Sequence, residues 1–238
     1  MYMANGEIEK TMNTSFLRSS EPDSIRGASE GRCFLYVLPC RDEDLVKLGF
    51  SRNPLARMEA LHPRYFDFFD IDRGCLVETD TVREARRLEL ELAHAMALHS
   101  APQPLLIREQ AGGATEWYRG AHAGLQDAAS RIEREGFIVH RPLRPWLRSQ
   151  LSNRRGDLFS WGEAVLAAVE GEPAHLDISA YRPLRTDVLA VLDAYPALGI
   201  ALAPLLPDAL MAWYRGAYRS AHLQSLPGED DDASGQTP

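Results

Sequence analysis

The sequence predicts an α+β protein: a small antiparallel sheet of about three strands packed by helices, followed by an all-helical C-terminal domain. Short aromatic and β-branched runs separated by turn residues crowd into the first 140 positions. Helix-start signals interleave with them, and beyond about residue 156 only helical spacing of apolar residues remains. At 238 residues and 45% hydrophobic composition the chain can bury a sizeable core. The length admits one large domain or two small ones, and the change in character favours two.

In chain order, residues 1–30 are rich in Ser, Asn, Glu and Gly without apolar periodicity and read as a disordered leader. The run Cys33-Phe34-Leu35-Tyr36-Val37-Leu38 reads as a buried strand that Pro39 closes. Asp42 to Asp44 make a turn, and a second strand over 45–50 completes a hairpin. Asn53-Pro54 starts a helix to about residue 62, because Asn accepts from free amides and proline at the first helical position has no amide to leave unpaired. A third strand is expected over 69–78, broken by Asp72-Arg73-Gly74. Thr81 with Glu84 forms a capping box that opens a helix to about residue 99. A loop over 100–115, a helix over 119–135 capped by Gly136, and a last strand over 137–140 end a first domain spanning 31–140. An arginine-rich linker (141–156) leads to a helical accessory domain (157–226), with segments at 158–170, 183–195 and 204–223, and then to an acidic disordered tail (227–238).

The net charge of −8 argues against a polyanionic partner, yet Glu229, Asp230, Asp231 and Asp232 concentrate part of it in the tail. Five arginines, Arg141, Arg144, Arg148, Arg154 and Arg155, stand around Trp146 without an intervening acid. Two readings of that stretch stay open: a solvated linker, or a basic patch that touches a nucleic-acid backbone. Cys33, Cys40 and Cys75 have no paired CxxC spacing, which suits a reducing cytosol. No apolar run approaches the ~20 residues that span a bilayer, and the polar N-terminus lacks the order of a signal peptide. A cytoplasmic protein is expected.

Glu89 carries the chemical argument. Ala85, Leu88, Leu92 and Met96 recur at helical spacing, and Glu89 lies on the same inward stripe, whereas Glu91 points the other way into solvent. An unpaired carboxylate in a core is prohibitive, so Glu89 needs an arginine, a hydrogen-bond network or a metal ion.

Phe34-Leu35-Tyr36, then Lys47-Leu48-Gly49, then Ser51, Asn53 and Arg57, then Glu89, follow the order of motifs in GIY-YIG nucleases, and the chain resembles that superfamily over about residues 32–118. Gly49-x-Ser51-x-Asn53-x-x-x-Arg57 is similar to the segment after the second motif. Glu116-Trp117-Tyr118 is similar to the Glu-Trp-aromatic ending of a phage-type branch, which often carries lysine where Lys47 stands. The first motif departs from the pattern, keeping its tyrosine and lacking its glycine and isoleucine.

The resemblance implies a metal-dependent endonuclease that hydrolyses phosphodiester bonds, in DNA by preference over RNA, with one Mg2+ or Mn2+ ion. It implies Tyr36 as general base or water-orienting group, with the Lys47 ammonium favouring its phenolate. Arg57 clamps the phosphate and Glu89 holds the metal. Gly49, Asn53, Glu116 and Trp117 are expected to be structural. The alternatives are a weak or inactive nucleic-acid binder of the same fold, or a nuclease effector whose helical domain recognises a protein. That domain is also a surface for a second copy of the chain. No membrane partner is expected.

Overall fold

A computed structural model describes residues 30–107 and 115–224. The expected leader up to residue 29, the middle of the expected 100–115 loop and the acidic tail lie outside the described residues. The sheet has five strands instead of the expected three: β1 (Glu30–Pro39), β2 (Leu45–Ser51), β3 (Cys75–Thr81), β4 (Trp117–Arg119) and β5 (Val139–His140). Their order is β4-β2-β1-β3-β5 and every pairing is antiparallel. The added edge strand β4 and the shortened β5 are three and two residues long, too short for an alternation to show. The strand expected from residue 69 begins at Cys75, because the Asp70 carboxylate accepts the amides of Asp72 and Arg73, each at 3.2 Å, and bends the preceding segment into a turn.

Eight helices longer than a 3-10 turn are described: α1 (Pro54–Leu61), α2 (Tyr65–Phe68), α3 (Val82–Ala95), α4 (His122–Arg134), α5 (Arg144–Asn153), α6 (Arg155–Ala168), α7 (Arg182–Ala197) and α8 (Asp208–Gln224). The expected caps are in place. Asn53 Oδ1 accepts the Ala56 amide at 3.0 Å and Thr81 Oγ1 accepts the Glu84 amide at 3.2 Å. Gly136, at φ 104°, follows the end of α4.

Strand alternation gives the sheet two apolar faces. On the back face, Leu35, Val37, Val46, Leu48 and Val77 meet Leu88 and Leu92 of α3 and Leu125 and Ile132 of α4. On the front face, Phe34, Leu38, Leu76 and Trp117 meet Leu55, Met58 and Leu61 of α1. The same cluster runs on without a break through Leu151 of α5, Val165 of α6, Leu192 of α7 and Leu210 of α8. The helices expected as an accessory domain share this apolar cluster with the front of the sheet.

The expected linker over 141–156 is helical. Leu143, Leu147 and Leu151 form a row at spacing four, and all are buried. Its arginines fasten this segment to the sheet half. Arg144 donates from Nε and Nη2 to the two carboxylate oxygens of Asp72, both at 2.7 Å, and Arg154 Nη1 lies 3.2 Å from Glu59 Oε1. Arg141 bonds Ser130 Oγ at 2.8 Å and pairs with Glu133. Trp146 packs edge-on against Phe34, ring centroids 5.5 Å apart. Three of the five arginines proposed for nucleic acid are thus paired within the chain, while Arg148 and Arg155 are exposed.

The Asp72 pair has a pH signature. Hydrogen bonds from Arg144 hold the Asp72 carboxyl below its ordinary value of 3.8. That contribution is complete above the ordinary value and is lost as pH falls through the lowered one. Arg144→Gln should cost up to ~1 kcal/mol at neutral pH and correspondingly less in acid, as for an exposed pair. Thermal melts at pH 7 and at about pH 3 check this, and a deficit that is the same at both pH values contradicts it. Among the described residues no helix is long and apolar enough to cross a membrane.

Candidate functional site

Tyr36 sits at the centre of β1 on the front face, opposite Gly49 on β2 and Leu76 on β3, and is 3% exposed. Its ring lies across Gly49 so closely that a Cβ there would come within 2.4 Å of the phenol oxygen. The glycine is required by this approach, not by an unusual backbone angle. Asn53 caps α1 and its own amide bonds Ser51 Oγ at 3.0 Å, which fixes how α1 leaves β2. One turn on, Arg57 Nε donates to the Tyr36 hydroxyl at 3.4 Å. The Gly49-Ser51-Asn53-Arg57 spacing thus brings a guanidinium to the phenol.

Lys47 precedes Gly49 by two residues and so shares its face, between Leu38 on β1 and Trp117 on β4. It is 1% exposed, and its ammonium donates to Glu116 Oε2 at 2.8 Å, 5.6 Å from the centroid of the Trp117 ring. Thr115 Oγ1 donates to the other carboxylate oxygen of Glu116 at 2.6 Å. Burial lowers the Lys47 pKa, and the Glu116 hydrogen bond only partly opposes it. Burial also works against ionised Glu116, but the bonds from Lys47 and Thr115 outweigh it and leave that carboxyl below its ordinary value. Glu116 was expected to be structural. Its pairing with a lysine 69 residues away depends on the β2–β4 register, which no local pattern in the sequence announces.

The ionisation expected of Tyr36 is reversed. Burial raises its pKa, Arg57 opposes the rise, and the negative charges of Glu89 and Glu116 add to it. The Lys47 charge is taken up by Glu116, so it brings no phenolate.

Glu89 stands on α3, whose apolar stripe of Ala85, Leu88 and Leu92 covers the back face, opposite Tyr36. The carboxylate nevertheless interacts electrostatically with Tyr36 and Lys47 of the front face and with Cys33 and Tyr118 of the back. β4 stops at Trp117, opposite Lys47, and among the described residues no strand pairs with the Gly49–Ser51 end of β2 on the side away from β1. Glu89 is half-buried, and its pKa is raised by burial and by Glu116, against Lys47 and Arg86. Glu91, on the other side of α3, pairs with Arg87 at 2.7 Å.

Among the described residues no group of three or more His, Cys, Asp or Glu could hold a metal ion; the oxygen donors at the site are Glu89 and Glu116. A hard divalent cation such as Mg2+ takes one or two carboxylates and keeps several waters. A desolvated Glu89 beside a second carboxylate suits such an ion, because the cation relieves the repulsion that raises its pKa. Glu89 supplies a carboxylate of the kind such an ion takes, whereas Glu116 is engaged by Lys47 and Thr115. Neither a family model, nor a curated protein, nor a solved structure matches the chain.

Proposed function

We propose that the protein is a metal-dependent endonuclease that hydrolyses phosphodiester bonds in DNA at a site built from Tyr36, Lys47, Arg57, Glu89 and Glu116. The observations that support the reading are the Tyr36–Arg57 hydrogen bond and the buried Lys47–Glu116 pair on the same face of the sheet, with Glu89 of α3 coupled electrostatically to Tyr36 and Lys47. Glu89 would hold the Mg2+ or Mn2+ ion, which would supply neutralisation of the phosphate charge. Arg57 clamps a phosphate oxygen through its planar fork, and the Tyr36 hydroxyl, by accepting from Nε, sets the plane of that fork. Tyr36 keeps its proton, so its phenol acts as a positioning hydrogen-bond group and not as the base expected by analogy.

A second reading, nucleic-acid binding without cleavage, is favoured by the burial of Lys47 and Tyr36 and by the closed Lys47–Glu116 pair. Incubation of the full chain with duplex DNA and Mg2+ or Mn2+ separates the two. Cleavage is expected, slower by ~10–100-fold in Tyr36→Phe, which keeps the ring and loses the acceptor for Arg57. Binding without cutting by the wild type supports the second reading and sinks the first.

A further inference from the structure

The way α7 ends shapes a groove against α8. Gly199, at φ 72°, lets the Ile200 amide donate to the Tyr195 carbonyl at 2.8 Å while its own amide donates to the Pro196 carbonyl at 2.9 Å, and the chain leaves the helix sharply. The space left beside this turn is a groove of about 390 Å³, lined by Pro196, Ile200, Leu202, Met211 and Tyr214 and by Arg215 of α8. A second guanidinium stands close by. Arg148 of α5 brings Nη1 to 3.8 Å from the place a Cβ on Gly199 would take, next to Ile200. Both arginines are exposed, and neither is ion-paired with a carboxylate among the described residues. An apolar trough bordered by two such cations suits a segment that joins apolar residues to a run of acids.

We infer that this groove receives the chain's own segment 225–232, with Leu226 and Pro227 against the apolar walls and the acids Glu229, Asp230, Asp231 and Asp232 at Arg215 and Arg148. The match is one of order as well as of kind, since the apolar pair comes first and the four acids follow after Gly228. The tether permits it. Segment 225–232 continues directly from α8, whose last residue, Gln224, lies ~14 Å along the helix axis from Arg215. In extended form the segment covers at least ~20 Å, enough to turn at the helix end and run back to Arg215. A short tether also gives it an effective concentration on the order of mM, so contacts too weak to hold a free peptide suffice to keep it docked. The docking is independent of nuclease activity.

A nitroxide attached beyond the acids of the full-length protein tests it. Ser234→Cys carries the label, because Cys33, Cys40 and Cys75 are buried and stay unmodified. NMR spectra of methyl-labelled methionine then report on Met211 inside the groove, its signal assigned through Met211→Leu. The Met211 methyl signal is expected to lose intensity by ~2-fold or more relative to the reduced label. It should recover when Arg148→Glu and Arg215→Glu are combined. It should also recover when Leu226→Ser is combined with Glu229→Gln, Asp230→Asn, Asp231→Asn and Asp232→Asn. The second variant leaves every described residue unchanged, so a folding defect cannot imitate the release, and circular dichroism melts check the first. Broadening that survives both variants overturns the docking. So does an unbroadened Met211 in the labelled parent, which leaves the groove to a separate partner. Finally, spin-labelled protein is mixed with methyl-labelled protein that carries no nitroxide. No broadening is expected there, and its appearance overturns the assignment by showing that the segment reaches a second copy.

Discussion

Glu89→Gln is expected to lower metal-dependent DNA cleavage by ~1,000-fold or more while leaving the melting temperature equal to, or slightly above, that of the wild type. The two halves of this expectation have one cause. Burial and the neighbouring Glu116 make the ionised carboxylate costly in the folded protein. A group whose pKa is raised on folding loses stability as pH rises from its ordinary value through the raised one, so at neutral pH the charge is held at a cost. An amide of the same shape removes that cost together with the metal ligand. A carboxylate kept only for an internal ion pair behaves in the opposite way, and its loss destabilises the protein. Cleavage rates and melts in chelator, measured on the same preparations, decide the point. A clear fall in melting temperature with activity retained would return Glu89 to a structural role.

Gly49→Ala carries the largest expected loss of stability among single substitutions at the site. The added methyl would lie 2.4, 2.6 and 2.9 Å from the oxygen, Cζ and one Cε of Tyr36, whose ring is buried and cannot swing into solvent. Tyr36 must leave its place or the β1–β2 pair must part, at about 1–3 kcal/mol. That corresponds to a melting temperature lower by roughly 2–12 °C for a chain of this size. Activity falls as well, since the phenol that orients Arg57 is displaced. Gly156→Ala is the matched control. It lies in α6 with nothing within 4 Å of the added methyl and should be neutral or slightly stabilising. Pairing Gly49→Ala with Tyr36→Leu should cost less than the sum of the two changes, as steric conflict demands. Additive costs would show that the ring is not the obstacle.

Much of this architecture was legible in the chain because local physics dictates it. An aromatic and β-branched run closed by Pro39 marks β1, the Asn53 and Thr81 caps mark α1 and α3, and the spacing of Ala85, Leu88 and Leu92 puts Glu89 on the inward side of α3. What stayed hidden depends on contacts between distant segments. The strand β4 exists only because β2 offers it a partner, and with β4 comes the Lys47–Glu116 pair. The stretch Arg144–Asn153 looked like a linker because its arginines dominate the composition. Its apolar row has only three members and finds its counterpart in helices further along the chain. The surroundings of Tyr36 stayed hidden for a related reason: composition shows which charges exist, not which are already matched.

The unbroken apolar core between the sheet and the last four helices also bears on how the molecule responds to force or heat. Arg64 ties the turn between α1 and α2 to Asp193 of α7 at 2.5 Å, and the Tyr214 hydroxyl of α8 bonds the same aspartate at 2.7 Å. Asp193 thus joins the last helix to the turn that follows the helix bearing Arg57. The two halves of the polypeptide share one apolar core and meet at one carboxylate, so that losing Asp193 would unfasten both attachments at once.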